Sequence, residues 1–455
     1  MGEARLADPG RRVSYLSLTD ADRVEMLAAI GVSSIDELFD QIPAGVRLDR
    51  ELDLPPALGE AELTRHLEDL AARNVHTGAE LSFLGAGIYD HYVPAVVDVV
   101  LSRGEFLTAY TPYQPEMSQG VLQAIFEYQT VICELTGMDV SNASGYDGTT
   151  VAADACFVAK HAKPDRPKVV LAEALSPQVR QVVKTYAPGF GLDVVEVAQH
   201  GGVTDPDEVA AAAQDAAAVI FQQPNFLGCL EPAPELAAAA REAGALPIAH
   251  VDPMSLGVLE APGAYGCALA IGEGQSAGNW QSYGGPHYGF FAARTEFIRR
   301  MPGRIVGETV DEDGRRGFVL TLQTREQHIR REKATSNMTT NQTLLALAGL
   351  ATLSSLGPIG LREVGEACLA LSQYARERLP LEPAFDVPAF KEVAFRTPIP
   401  AREVVRRARE HGVHPGYVLG RDYEGMDDVL LVALTEKRTV ADVDRLAEVL
   451  EEVCS

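Results

Sequence analysis

The sequence has few positive charges for its length. Its 455 residues include 39 lysines and arginines against 64 aspartates and glutamates, which gives a formal net charge of −25 at pH 7. A surface of that sign repels the phosphates of nucleic acids and the headgroups of anionic lipids. We therefore predict that neither a nucleic acid nor a membrane is a partner of this protein.

Paired cysteines and long apolar runs are also missing. The six cysteines are spread along the chain without a Cys-x-x-Cys pair, which is typical of reduced thiols. No apolar run approaches the roughly 20 residues of a membrane span, and the opening MGEARLADPGRR has no apolar core of a signal peptide. These absences predict a cytoplasmic localisation.

Familiar catalytic motifs are absent or incomplete. Residues 274–278 match the GxSxG pattern of hydrolases, but the glycines and proline of 284–286 disfavour the helix that a nucleophile elbow requires. Residues 85–90 begin like a dinucleotide fingerprint and then carry Asp90 in place of the third glycine. The sequence has no Walker-type phosphate loop, and its histidines form no spaced ligand set, so we predict no metal site.

Strands and helices alternate through the middle of the chain. Helical segments separate short apolar runs at 169–172, 194–197, 218–222, 247–252, 268–272 and 288–293. Because these runs are apolar on both faces, they predict a mostly parallel sheet covered by helices. We expect an N-terminal helical arm over 1–75, a large α/β domain over 76–335 and a small α+β C-terminal domain over 336–455.

Two features of the predicted sheet suit pyridoxal phosphate. Asp252 ends a strand, where parallel sheets bind ligands, and its carboxylate could pair with a protonated ring nitrogen. The segment 142–150 precedes a helix and offers N–H groups and hydroxyls to an anion at a helix N-terminus. Each feature has an ordinary alternative, because Asp252 could be a helix N-cap and 142–150 a plain loop capped by Thr150.

A lysine is missing where such an enzyme needs one. The chain has only seven lysines, and none lies between Lys184 and Lys333, the stretch that contains Asp252 and the next two strand ends. Pyridoxal enzymes hold their cofactor as a Schiff base with a lysine. The sequence therefore predicts the architecture of the cofactor fold without the group that anchors the cofactor.

Several long motifs resemble those of the two-subunit glycine decarboxylases, the P-proteins of the glycine cleavage system. They are FLGAGIYDHYVP (83–94), TAYTPYQPEMSQG (108–120), NASGYDGTT (142–150), VDPMSLGVL (251–259), the GEGQSAGN–GGPHYGF loop (272–290) and TREQHIRREKATSN (324–337). The resemblance extends over nearly the whole chain. It implies the α/β pyridoxal-phosphate fold type I, similar to aspartate aminotransferase.

The resemblance also implies a partner. This chain would pair with the homologous P-protein subunit 2 in a heterodimer or heterotetramer, and pyridoxal 5'-phosphate would be linked to that partner and not covalently bound to this chain. Together the subunits would decarboxylate glycine, release CO2 and transfer the aminomethyl group to the lipoyl arm of the H-protein. The position equivalent to the Schiff-base lysine falls near Gln275.

In dimers of this fold, loops of one subunit complete the active site of the other. The resemblance nominates polar and aromatic residues of two motifs for that role: Tyr89, Tyr92, Tyr110, Tyr113, Gln114, Glu116, Ser118 and Gln119. An interface seam without a chemical role is the alternative. The remnants of a cofactor site in this chain's own pocket would be Asp252, Ser144, Asp147, Gly148 and Thr149.

Two other functions stay open at this point. A self-sufficient pyridoxal-phosphate aminotransferase or lyase would carry its cofactor on one of the seven lysines. A non-catalytic scaffold for the partner subunit would tolerate substitution of the candidate tyrosines without loss of turnover.

Overall fold

The structure is a computed structural model that describes residues 17–48, 50, 52–334, 336, 338 and 340–455. The chain forms two compact units, residues 1–74 and 75–455. In the first unit, helices α1 (Asp20–Ile30) and α2 (Glu60–Ala71) are separated by a short 3-10 turn. Thr19 caps α1 by accepting a hydrogen bond from the backbone N–H of Asp22.

The second unit contains the remaining helices and all described strands. Its helices are α3 (Ala95–Leu101), α4 (Gly104–Leu107), α5 (Pro115–Thr136), α6 (Gly148–Ala162), α7 (Pro177–Tyr186), α8 (Pro206–Ala212), α9 (Ala233–Glu242), α10 (Gln327–Arg330), α11 (Thr343–Arg378), α12 (Ala401–Glu410) and α13 (Val440–Val453). Its strands are β1 (Leu81–Ser82), β2 (Val140–Ser141), β3 (Lys168–Ala172), β4 (Asp193–Val197), β5 (Gln199–His200), β6 (Val203–Thr204), β7 (Ala216–Gln223), β8 (Leu246–Val251), β9 (Leu269–Glu273), β10 (Gly289–Ala293), β11 (Ile305–Val310), β12 (Arg316–Thr321), β13 (Glu382–Pro383), β14 (Glu392–Arg396), β15 (Val413–His414), β16 (Tyr417–Val418) and β17 (Val429–Ala433).

A seven-stranded sheet forms the centre of the large domain. Its order is β2-β10-β9-β8-β7-β3-β4, and the five strands from β9 to β4 run parallel while β10 is antiparallel to both neighbours. One face packs against α5, α8, α9 and α11, and the other against α6 and α7. The mostly parallel sheet predicted from the apolar runs is confirmed, because helices on both faces explain why the strands are apolar on both sides.

The helix α11 joins the large domain to the small one. It has 36 residues and bends at Gly357, which has a left-handed φ of +59° and precedes Pro358. By length and apolar composition, α11 is the one helix among the described residues that could cross a membrane, although we expected no such run from the sequence. Leu347, Leu353 and Cys368 are among its buried residues, and core helices of globular proteins pass the same test.

The small domain is built on the antiparallel sheet β13-β14-β17-β16. Its core packs this sheet against α12, α13 and the end of α11. The short strand β1 adds a parallel pair to β15, so the chain just before residue 83 attaches to the small domain. Strand β14 begins beside Lys391, whose side chain reaches the large domain.

Candidate functional site

A cavity of about 470 Å³ lies at the carboxyl edge of the central sheet. Its walls include Gln222 from β7, Val251 and Asp252 at the end of β8, and Glu273 from β9. The start of α6 and the loop 86–89 complete much of the lining. This edge is where open parallel sheets bind their ligands.

Asp252 is an N-cap, one of the two alternatives that the sequence left open, and its pairing with a cofactor ring stays a prediction. It caps a short 3-10 helix by accepting a hydrogen bond from the backbone N–H of Met254, and its side chain faces the cavity. The same oxygen, Oδ1, accepts a hydrogen bond from the Ser276 hydroxyl at 2.8 Å. The other oxygen, Oδ2, lies 2.6 Å from Nζ of Lys391. Burial opposes ionisation of Asp252, but Lys391, His91 and Ser276 together outweigh it and hold the pKa of this carboxyl below its usual range.

Lys391 is the functional residue that sequence reasoning missed. Its side chain is 2% exposed, and Nζ lies 3.4 Å from the ring centroid of Tyr89 and 3.1 Å from Nε2 of His91. His91 in turn contacts Glu436 through Nδ1 at 2.6 Å. A buried row of charged and polar groups therefore connects the small domain to Asp252.

The motif 83–94 forms a seam with the small domain. The hydroxyl of Tyr89 donates to Glu392 at 2.8 Å, and Tyr89 is 8% exposed. Asp90 pairs with Lys437 at 2.6 Å and with Arg438 at 3.0 Å. The Tyr92 side chain, in contrast, is exposed. The Tyr89 hydroxyl is thus engaged within this chain, while the predicted contributions of Tyr89 and Tyr92 to a partner's active site stay predictions.

The loop 142–150 does lead into a helix N-terminus, as we expected, but the hydrogen-bond acceptors there are the chain's own carboxyl groups. Asp147, and not Thr150, is the N-cap of α6: its carboxylate accepts from the backbone N–H of Thr149 at 3.0 Å and of Thr150 at 2.7 Å. The Glu273 carboxyl accepts from the N–H of Gly148 at 2.9 Å. Ser144 is buried and does not line the cavity itself, but it accepts from the N–H of Gln342, which does.

Gln275, the position nearest to the expected lysine, has a structural contact of its own. Its amide is 1% exposed and lies between Tyr89 and Asn279. It accepts from the N–H of Tyr89 and donates to the carbonyl oxygens of Tyr89 and Asn279. Gln275 therefore holds the motif 83–94 against the loop after β9.

The second group of candidates lies outside the cavity lining, at the start of α5. Tyr110 is 78% exposed and Tyr113 is 51% exposed, and the hydroxyl of Tyr113 accepts from Arg304 at 3.3 Å. Gln114 and Glu116 are exposed and Ser118 is half-buried. Gln119 forms two hydrogen bonds of 2.8 Å with the backbone of Phe318 in β12. Tyr113 is the candidate of this group whose hydroxyl is held in place while its ring stays accessible.

Burial sets the charge state of the cavity. It lowers the pKa of His250 to about 4, so the imidazole is neutral at pH 7. Its Nε2 lies 3.3 Å from the Gly148 carbonyl oxygen, and we assign the ring proton to Nε2 from this contact. Burial also raises the pKa of Glu273 to about 8. Among the described residues that line the cavity there is no lysine or arginine.

These residues do not fit pyridoxal phosphate. The cofactor requires a lysine, a carboxylate available to its ring nitrogen and an anion site for its phosphate. Here Gln275 is near the lysine position, Lys391 already pairs with Asp252, and Glu273 and Asp147 already accept from the first N–H groups of α6. The cavity has the position of a cofactor site, but each anchoring group is already engaged.

The sheet order, the cavity at its carboxyl edge and the appended small domain define the pyridoxal-phosphate fold type I. A cysteine desulfurase from Thermococcus onnurineus shares this fold with a TM-score of 0.62 at 17% identity, over 83% of this chain and 95% of the desulfurase chain. That likeness shows the fold alone.

Residues 13–450 match the family described as Glycine cleavage system P-protein, and the chain belongs to this family. A probable glycine dehydrogenase (decarboxylating) subunit 1 of Moorella thermoacetica is 49% identical over 446 residues, covering 97% of this chain and 100% of the relative. A crystal structure of glycine decarboxylase (P-protein), in inhibitor-bound form, has a TM-score of 0.89 and 44% identity, covering 97% and 100% of the two chains. The predicted fold class and family are confirmed.

Proposed function

We propose that this chain is subunit 1 of a glycine dehydrogenase (decarboxylating), the glycine decarboxylase of the glycine cleavage system. The observation that carries the proposal is the cavity: it occupies the cofactor position of a pyridoxal-phosphate fold, yet no lysine lines it among the described residues. Subunit 2 would hold the pyridoxal phosphate. The complex, a heterodimer or a pair of heterodimers, would release CO2 from glycine and pass the aminomethyl group to the lipoyl arm of the H-protein.

The segment 108–120 is our candidate for the face that completes the partner's active site. Arg304 is 5% exposed, and its guanidinium lies 5.6 Å from the ring centroid of Tyr113 in addition to its contact with the hydroxyl. A phenol fixed from one side and exposed on the other can donate its proton to a carboxylate or phosphate of a neighbouring subunit. We place the complex in the cytoplasm, which the six free cysteines support.

The exchange of the glycine carboxyl group with bicarbonate tests the proposed function. With H-protein present, we expect no exchange by the purified chain above the background of H-protein alone, and full exchange after subunit 2 is added. The reason is that the cofactor anchor belongs to the partner. Full activity of the single chain, with a borohydride-reducible label on one of its seven lysines, would instead establish a self-sufficient pyridoxal enzyme.

Tyr113→Phe distinguishes a catalytic subunit from a scaffold. The substitution removes the hydroxyl that would donate a hydrogen bond to a carboxylate or phosphate of the partner. We expect kcat of the reconstituted complex to fall by about tenfold or more, with complex formation unchanged on gel filtration. Tyr186→Phe is the matched control, because Tyr186 is a partly exposed tyrosine at the end of α7. Unchanged turnover of an assembled Tyr113→Phe complex would favour the scaffold function.

A further inference from the structure

The cavity of this chain contains side chains that make the contacts a cofactor would make. Pyridoxal phosphate presents a cationic ring nitrogen at one end and a phosphate at the other. At the corresponding ends of the cavity, an ammonium from the small domain meets Asp252 and a carboxyl from β9 meets the start of α6.

At the end of the cavity that would hold the cofactor ring, loss of the Lys391 ammonium would strongly destabilise the protein. The side chains of Lys391 and Asp252 are largely buried, with exposures of 2% and 13%. Removal of one partner of such a pair leaves an uncompensated buried charge. An incoming ring nitrogen would find both oxygens of Asp252 engaged, Oδ2 by Lys391 and Oδ1 by Ser276.

At the phosphate end, the helix terminus is both bonded and blocked. The two oxygens of Glu273 accept from the N–H groups of Gly148 at 2.9 Å and of Gln275 at 3.1 Å. A methyl group added to Gly148 would lie only 2.7 Å from Cβ of Glu273, so the start of α6 packs directly on the end of β9. Asp147 takes the next two N–H groups of the helix. A phosphate would have to displace a carboxyl group without any lining cation to receive it.

We propose that Glu273 and Lys391 exclude pyridoxal phosphate from this chain, so that a lysine at position 275 would not be enough to restore the cofactor. Glu273 occupies the place of the phosphate and Lys391 the place of the ring cation. The inference rests on the proposed function in one respect, since it takes subunit 2 as the holder of the cofactor. The inference itself is about which cofactor the cavity at the carboxyl edge of this chain's central sheet can bind.

The test uses the full chain without partner and measures uptake of pyridoxal phosphate. For Gln275→Lys we expect no visible Schiff-base absorbance at stoichiometric cofactor and no borohydride-trapped label on the peptide containing residue 275. Adding Glu273→Ser frees two N–H groups for the phosphate and removes the bulk of the carboxyl group, so we expect the double variant to bind the cofactor at least about tenfold more tightly. Pyridoxal, which has no phosphate, should gain less from the same change.

Gln275→Lys combined with Glu260→Ser is the control, because Glu260 is exposed and does not line the cavity. If the double variant with Glu273→Ser does not fold, Glu273→Ser alone is measured with inorganic phosphate, for which we again expect a gain of about tenfold. Stoichiometric labelling of Gln275→Lys alone, or no gain from Glu273→Ser, would overturn the inference. The exchange assay with subunit 2 is a separate measurement, so either proposal can fail without the other.

Discussion

Replacement of Lys391 with methionine should lower the free energy of unfolding by about 3–5 kcal/mol, because it leaves the buried Asp252 carboxylate without its cation. The methionine keeps most of the volume of the lysine side chain, so the loss reports mainly on charge. The measurement is urea denaturation followed by circular dichroism. The same substitution removes the contacts of Nζ with Tyr89 and His91, so the segment 83–94 should lose hydrogen-exchange protection at the same time.

Lys437→Met is the matched control for this prediction. Lys437 pairs with the Asp90 carboxylate of the motif 83–94, but the Lys437 side chain is 26% exposed. Without it, Asp90 keeps Arg438 as a second partner. We expect a loss of about 1 kcal/mol or less. Combining Lys391→Met with Asp252→Asn should recover a large part of the loss, since no unpaired charge remains. A loss from Lys391→Met no greater than that of the control would contradict a buried ion pair.

The charged row around Lys391 gives the motif 83–94 a role that does not depend on a cofactor. Tyr89 is held by Glu392 and Gln275, and Asp90 by Lys437 and Arg438. These contacts join the two domains of the second unit through one short segment. An internal ion pair of this kind can keep the two domains together without a ligand that bridges them.

The fold was predictable because its signals are local. The apolar runs that became β3, β7 and β8 are read directly from consecutive residues, and their burial on both sides follows from the helices between them. Asp252 was also predictable as a strand-end carboxylate, since its position depends only on where β8 ends. Glycine followed by proline at 357–358 is likewise a local signal, and α11 bends there.

The charge partners were not predictable, because they depend on packing between distant segments. Lys391 meets His91 across 300 residues of sequence, and Glu273 meets Gly148 across 125. No periodicity or motif encodes such contacts. The scarcity of lysine was a usable signal, but the lysine-free stretch lies between Lys184 and Lys333, and nothing in the sequence pattern points to Lys391.

The stability of the protein should fall as the pH rises from about 4.5 to 8. Burial raises the pKa of Glu273 from 4.5 to about 8, so the native state keeps a proton that the unfolded chain releases, and stability is lost as the pH rises towards 8. Burial raises the pKa of Asp154 to about 7, and this carboxyl group acts in the same direction. His250 has the opposite effect: its pKa is lowered from 6.5 to about 4, and it offsets the carboxyl groups only below pH 6.5.

The net fall should therefore extend from about pH 4.5 to 8, and the part between pH 6.5 and 8 should amount to about 2 kcal/mol in the free energy of unfolding. In the Glu273→Gln variant, residue 273 no longer titrates. We therefore expect the free energy of unfolding of this variant to fall by only about 0.5 kcal/mol between pH 6.5 and 8, which is the share of Asp154. The amide should cost about 1 kcal/mol at low pH, because its NH2 group replaces an oxygen that accepts from Gln275. The variant is then less stable than the natural chain below about pH 4.5, close to it near pH 5 and more stable at pH 8. Glu260→Gln, an exposed control, should follow the natural chain throughout, and a parallel curve for Glu273→Gln would show that Glu273 is ionised in the native state at neutral pH.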